Sequence, residues 1–134
     1  MKKYVIIADS TCDLDADILK QYGIDYAKMG YVVDEKEYPA ALEWDVISAN
    51  EYYNMMRSGK KIRTLQVSGE TFKEKFNYYI EQNVDILYIG CSSALSGSVN
   101  LGAIIARDLM AEHPEVTIRV IDTKISSLGQ GHLV

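Results

Sequence analysis

Apolar and polar positions alternate along the chain in blocks that switch between two periods. Residues 4 to 8, YVIIA, form a short β-branched run of the kind a strand buried on both faces requires. DSTCD follows it, crowded with helix-capping side chains. DADILKQYG then carries Ile18, Leu19 and Tyr22 at helical spacing and stops at Gly23, a natural helix C-terminal residue. Residues 24 to 33 read as a single second extended segment, DEK as a turn, and KEYPA as a short edge strand that Pro39 closes. Residues 48 to 57 predict a helix opened by a Ser48–Glu51 capping box. KKIRTLQVS reads as a loop or short extended piece. Residues 68 to 82 predict a helix with Phe72, Phe76, Tyr79 and Ile80 on one face. VDILYIG, residues 84 to 90, is a second buried strand, residues 96 to 113 a long helix, and residues 116 to 122 a third, central strand.

This alternation predicts a three-layer α/β/α domain around a small, mostly parallel sheet with right-handed crossovers. No repeat, low-complexity tract or linker divides residues 1–134, so the pattern predicts one domain. The last residues, TKISSLGQGHLV, read as the first turn of another helix, cut short.

Composition narrows the function. The net charge of −5 argues against a nucleic-acid partner, which demands a basic face. No apolar run reaches the ~18 residues of a membrane span, and the first residues lack a signal-peptide pattern, so the reading is a cytoplasmic protein. The two cysteines, Cys12 and Cys91, have no metal or redox spacing and read as small buried fillers. Asp13, Asp15 and Asp17 suit the start of a helix better than a metal. Of the ten tyrosines, the pairs Tyr52–Tyr53 and Tyr78–Tyr79 each predict one core ring and one rim ring.

The chemistry lies in the polar loops that leave the strands. Asp9-Ser10-Thr11, Cys91 to Gly97, and Asp122-Thr123-Lys124 with Ser126 and Ser127 all fall at the carboxyl edge of the sheet, where open α/β sheets bind ligands. Arg63 to Ser68 adds a fourth hydroxyl-bearing segment. At the start of the long helix, Ser96 offers a hydroxyl and Gly97 a bare backbone, beside amides that have no intrahelical partner. Two readings remain open: Ser96 caps the helix, or this corner holds a carboxylate or phosphate. No nucleotide-binding glycine motif and no nucleophile elbow is present. His113 and His132 do not complete a triad.

YVIIADSTCDL, RTLQVS, SSALSGS and VIDTKISSLGQG, in this order and spacing, resemble the DegV family of bacterial lipid-binding proteins. The resemblance implies a two-domain α/β fold, of which residues 1–134 are the N-terminal lipid-binding domain and the second domain lies outside this chain. It implies a non-catalytic protein without cofactor or metal that holds a long-chain fatty acid by its carboxylate, as carrier or as presenter to a fatty-acid kinase. The family's Thr-Ser-Gln-Pro-Ser falls on Thr64 to Ser68, with Leu65 and Val67 in place of Ser and Pro. Its Ser-Ser-x-Leu-Ser-Gly-Thr falls on Ser92, Ser93, Ala94, Leu95, Ser96, Gly97 and Ser98. Thr64 and Ser96 are thereby the implied carboxylate ligands, with Ser92, Ser93 and Gly97 in the same loop and Asp9 and Ser10 shaping the pocket floor. Without the second domain, half a tunnel leaves an apolar face exposed, which favours self-association. The alternative is a hydrolase or phosphotransferase using a serine or aspartate of the same loops; a third reading makes the serines caps and nothing more.

Overall fold

A computed structural model describes residues 3–134. Four parallel strands form the main sheet in the order β2-β1-β6-β7, where β1 is Tyr4–Asp9, β2 Asp25–Ala27, β6 Asp85–Gly90 and β7 Ile118–Asp122. Side chains of β1 alternate between two cores, as the period of two in a strand demands. Val5 and Ile7 pack with Ile86, Tyr88 and Ile118 under α3 (Gly69–Ile80) and α4 (Ser98–Glu112). Ala8 packs the other way, with Tyr26, Cys12 and Leu19 of α1 (Ala16–Tyr22), where Val134 at the end of α5 (Ser127–Leu133) joins. The three-layer α/β/α architecture expected from the pattern is present.

A second sheet, antiparallel and three-stranded, is built from β3 (Met29–Val33), β4 (Lys36–Ala40) and β5 (Ile62–Leu65) in the order β4-β3-β5. It corrects two expectations. Residues 24–33 are not one strand: β2 ends at Ala27 in the parallel sheet and the chain re-enters at Met29 in the other. Lys28 alone separates the two pieces and no glycine or proline stands at the break, so hydrophobic pattern cannot reveal the change of partner. The segment read as loop or short extended piece supplies β5, paired with β3 from Gly30↔Leu65 to Val33↔Ile62. KEYPA is the expected edge strand, which tolerates Pro39 and its lack of an N–H.

Strand β7, expected to be central, lies at the edge beside β6 alone. In α1, of the three apolar positions at helical spacing, Leu19 alone is buried; Ile18 and Tyr22 are exposed. Gly23 closes that helix in the left-handed conformation at φ +67°, which glycine adopts without penalty. The capping box of α2 (Ala49–Arg57) is complete: Ser48 Oγ accepts from the Glu51 N–H at 3.2 Å and Glu51 accepts from the Ser48 N–H at 3.0 Å. Phe72, Phe76 and Ile80 are the buried stripe of α3, while Tyr79 is half-buried. Tyr52 and Tyr79 are the half-buried members of their pairs and Tyr53 and Tyr78 the exposed ones, so neither pair sends a ring fully into a core. Cys12 and Cys91 are both buried free thiols. Among the described residues no helix is long and apolar enough to cross a membrane.

Candidate functional site

All four strands of the main sheet run the same way, so Asp9, Ala27, Gly90 and Asp122 end on one edge. The small sheet is tied to that edge by the Met29 N–H, which donates to Ser10 Oγ at 3.0 Å. Between them lies a cavity of about 540 Å³, within the range typical of small-molecule sites. Its polar wall carries Ser10, Thr11, Thr64, Ser96 and Ser126; its apolar wall carries Met29, Leu42, Trp44, Val46, Tyr52 and Tyr53. Thr64 and Ser96 therefore face one shared space, brought there by β5 and by the loop ahead of α4.

The loop after β6 is organised by serines in different ways. Its residues 92–96 fold as a turn in which the Leu95 and Ser96 N–H groups both donate to the Ser92 carbonyl, at 2.9 and 3.0 Å. Helix α4 begins later than its sequence suggests: Gly97 is the N-cap and contributes no side-chain cap. Ser96 Oγ nonetheless accepts the Ser98 N–H at 3.2 Å and lies 2.9 Å from Ser98 Oγ. Ser98 is wholly buried and its Oγ accepts the Val67 N–H at 3.0 Å, which stitches the segment after β5 to the start of α4. That bond brings the Thr64 and Ser96 segments together. Gly97 leaves room for Gln66: a Cβ there would stand 2.2 Å from Gln66 Oε1.

The remaining expected site residues have other partners. Asp9 is fully buried, and its carboxylate is spent on the protein. Oδ1 accepts from the Thr11 N–H at 3.2 Å, from the Thr11 hydroxyl and from Gln130 Nε2 at 3.0 Å. Oδ2 accepts from the Tyr88 hydroxyl at 2.8 Å and the Cys91 N–H at 3.0 Å. Burial first, and then the Asp9 charge, push the Tyr88 phenol far above its ordinary range, so it stays a donor. Ser93 donates to Asp122 at 2.5 Å, and the Lys124 ammonium and the Ser93 hydroxyl hold the Asp122 carboxyl well below the usual carboxylate range. Ser92 Oγ accepts the Ala94 N–H at 3.2 Å. Asp9, Ser92, Ser93 and Gly97 are not on the cavity wall; Ser10, Thr64 and Ser96 are.

Among the described residues the wall carries no lysine, arginine or histidine. A bound anion must rely on hydroxyls, backbone amides and the field of the α4 N-terminus, whose first turn has no acidic residue. Asp13, Asp15 and Asp45 also line the space, but they are exposed and screened by water. Among the described residues no three His, Cys, Asp or Glu side chains are grouped to hold a metal. The aromatic wall from Trp44 to Tyr53 escaped the sequence reading. Its one signal was the excess of tyrosine over phenylalanine, but Trp44 of the loop after β4 has to meet Tyr52 and Tyr53 of α2 before they form a wall. Leu95, which also borders the cavity, is 72% exposed, and Ile125 and Leu128 of the neighbouring rim are exposed too.

The family model described as "Uncharacterised protein, DegV family" matches residues 3–134. A DegV domain-containing protein of Clostridium perfringens is 37% identical over 134 residues, covering 100% of this chain and 46% of its own length. A DegV domain-containing 15.5 kDa protein of Staphylococcus aureus is 31% identical, covering 100% of this chain and 90% of its own. This chain thus spans about half the length of the first curated relatives it matches, and nearly all of the Staphylococcus protein. Among solved structures, a Thermotoga maritima protein described as revealing a fatty acid binding function superposes with a TM-score of 0.82 at 27% identity, over 96% of this chain and 45% of that one. A DegV family protein of Thermus thermophilus, described by its fatty acid binding, gives 0.83 at 25% identity, over 99% and 45%.

Proposed function

Because the chain belongs to the DegV family, we propose that it contributes to binding a long-chain fatty acid, without catalysis, and that Thr64 and Ser96 hold the carboxylate. The observation that carries this reading is the shared cavity. Two hydroxyls from distant segments line it together with the apolar side chains of Met29, Leu42, Trp44 and Val46. The local bonding suits a donor role for Ser96. When Ser98 donates its O–H to Ser96, the Ser96 O–H is unspent and free to point to a guest. Each methylene buried along Leu42, Trp44 and Val46 contributes roughly 0.8 kcal/mol, so chain length sets affinity and the hydroxyls set orientation.

Ser10 and Gly97 support the site differently. Ser10 ties the small sheet to the main one and borders the cavity, while Gly97 admits Gln66 behind Ser96. Presentation of the head group to a fatty-acid kinase, and self-association through the exposed Leu95, Ile125 and Leu128, belong to the same proposal.

Ser96→Ala tests the reading. It is expected to weaken binding of a fluorescent fatty acid by about 10-fold, on the order of 1–3 kcal/mol for a lost hydrogen bond to a charged group. An unchanged titration curve removes Ser96 from the site. A hydrolase or phosphotransferase needs a base beside its nucleophile, and among the described residues the cavity wall offers no histidine or lysine, only the exposed carboxylates Asp13, Asp15 and Asp45. A serine-reactive phosphonate is accordingly expected to leave the protein unlabelled; stoichiometric modification of Ser92, Ser93 or Ser96 would reverse the assignment to a binding protein.

A further inference from the structure

One buried polar atom in the cavity wall has no partner. Tyr31 is 4% exposed, its hydroxyl oxygen is sealed from water, and no group among the described residues hydrogen-bonds to it. Native proteins rarely leave such a group unpaired, and an exception calls for an explanation. Tyr31 sits in the middle of β3, directly opposite Thr64 on β5 and Tyr38 on β4. Residues directly opposite on antiparallel strands put their side chains on the same face, with Cβ atoms roughly 5 Å apart. The Tyr31 ring therefore rises on the same face of the small sheet as the Thr64 side chain, and both residues line the same cavity. Its ring is stacked on Tyr38 with centroids 5.4 Å apart and met edge-on by Tyr52 at 5.1 Å, so its flanks are hydrocarbon.

We propose that the Tyr31 hydroxyl is a third donor to the guest's carboxylate, alongside Thr64 and Ser96. This rests on the head-group reading above and deepens it. A carboxylate has two oxygens with about four lone-pair positions, so two hydroxyls do not saturate it. Burial, with smaller effects from Tyr52 and Tyr38, pushes the Tyr31 phenol up, and it stays protonated as a donor at neutral pH. The guest reaches it by displacing Tyr52. That ring belongs to α2, a helix with no buried residue of its own and so the lining element that moves most readily. The orphan hydroxyl then acquires on binding the partner that it lacks in the empty protein.

The test compares wild type with Tyr31→Phe, which keeps the ring and its stacking. Octanoate is the probe, because its solubility permits titration of weak binding; amide shifts of Ser96 and Ser98 are followed by NMR, with octanol as the uncharged control. Tyr31→Phe is expected to weaken octanoate binding about 5- to 30-fold, roughly 1–2 kcal/mol at 1.4 kcal/mol per decade, and to change octanol binding by less than threefold. The same substitution is expected to leave the melting temperature of the empty protein unchanged or raised, since it deletes a hydroxyl without a partner. Equal octanoate affinity in the two proteins overturns the role of Tyr31 alone. A lowered melting temperature also overturns it, by exposing a partner within the protein. Wild type that gives no shifts with octanoate overturns the head-group reading, and this inference with it.

Discussion

Replacing Asp9 by alanine is expected to cost about 3–5 kcal/mol of folding stability, among the largest effects a single substitution produces. The reason is the number of donors that the substitution abandons. The Tyr88 hydroxyl and the Cys91 N–H both end on Oδ2 and lose that acceptor, whereas Gln130 Nε2 and the Thr11 hydroxyl, which end on Oδ1, keep the Ile89 carbonyl at 3.3 Å and Gln130 Oε1 at 2.8 Å. Each buried donor left unpaired costs roughly 1–3 kcal/mol. The contacts also come from three parts of the chain: the turn after β1, the end of β6 and α5. Asp9→Asn separates charge from shape. It fits the same space but sets an NH₂ against a donor on one side, so an intermediate loss is expected. Urea unfolding measures both. A midpoint for Asp9→Ala within error of wild type would mean that the network contributes nothing net. Were Asp9 instead a ligand contact at the pocket floor, the same substitution would spare stability and reduce fatty-acid affinity, the opposite result.

Gly131→Ala is expected to loosen the C-terminal helix, with a net loss of about 1–3 kcal/mol. A Cβ at that position would stand 2.6 Å from the Cys12 carbonyl oxygen and 3.0 Å from Leu14 Cγ. A backbone oxygen cannot swing aside as a long side chain does, so α5 must shift, and it carries Gln130 away from Asp9. Gly129→Ala, two residues earlier in the same helix, provides the contrast. Its Cβ would meet the tip of Ile125 at 3.2 Å, a flexible atom, and the better helix propensity of alanine stabilises by up to ~1 kcal/mol. Hydrogen exchange separates the two: amides of α5 are expected to exchange faster in Gly131→Ala and no faster in Gly129→Ala. Equal protection in both variants would show that the approach of α5 to the Cys12 carbonyl is not tight in solution.

The expectations that held depend on information local in the chain. Helix α2 is announced by Ser48 and Glu51 three residues apart, and both halves of the capping box form. Gly23 marks the end of α1 because a left-handed residue is needed there. The stripe Phe72, Phe76, Ile80 selects the buried side of α3 by spacing alone. The gathering of loops at one edge follows from strands that all run in parallel, and that was implied by their alternation with helices.

What failed involved the choice of a partner. Residues 24–33 read as one mostly apolar segment, yet they divide between two sheets, because hydrogen-bond partners are chosen across space and not along the chain. Asp9, Ser10, Ser92, Ser93, Ser96 and Ser98 look alike as small polar residues near strand ends. Their surroundings decide that Asp9 binds five donors, that Ser93 donates to Asp122, that Ser98 ties Val67, and that Ser10 and Ser96 reach the cavity wall. The kinds of elements, their order and the edge where polar groups collect follow from local pattern, since propensity, period and capping act within a few residues. Which hydroxyls face the cavity, which are consumed within the protein, and that Tyr31 is left unpaired opposite Thr64 emerge in three dimensions alone, because those outcomes depend on contacts between segments that are remote in the chain.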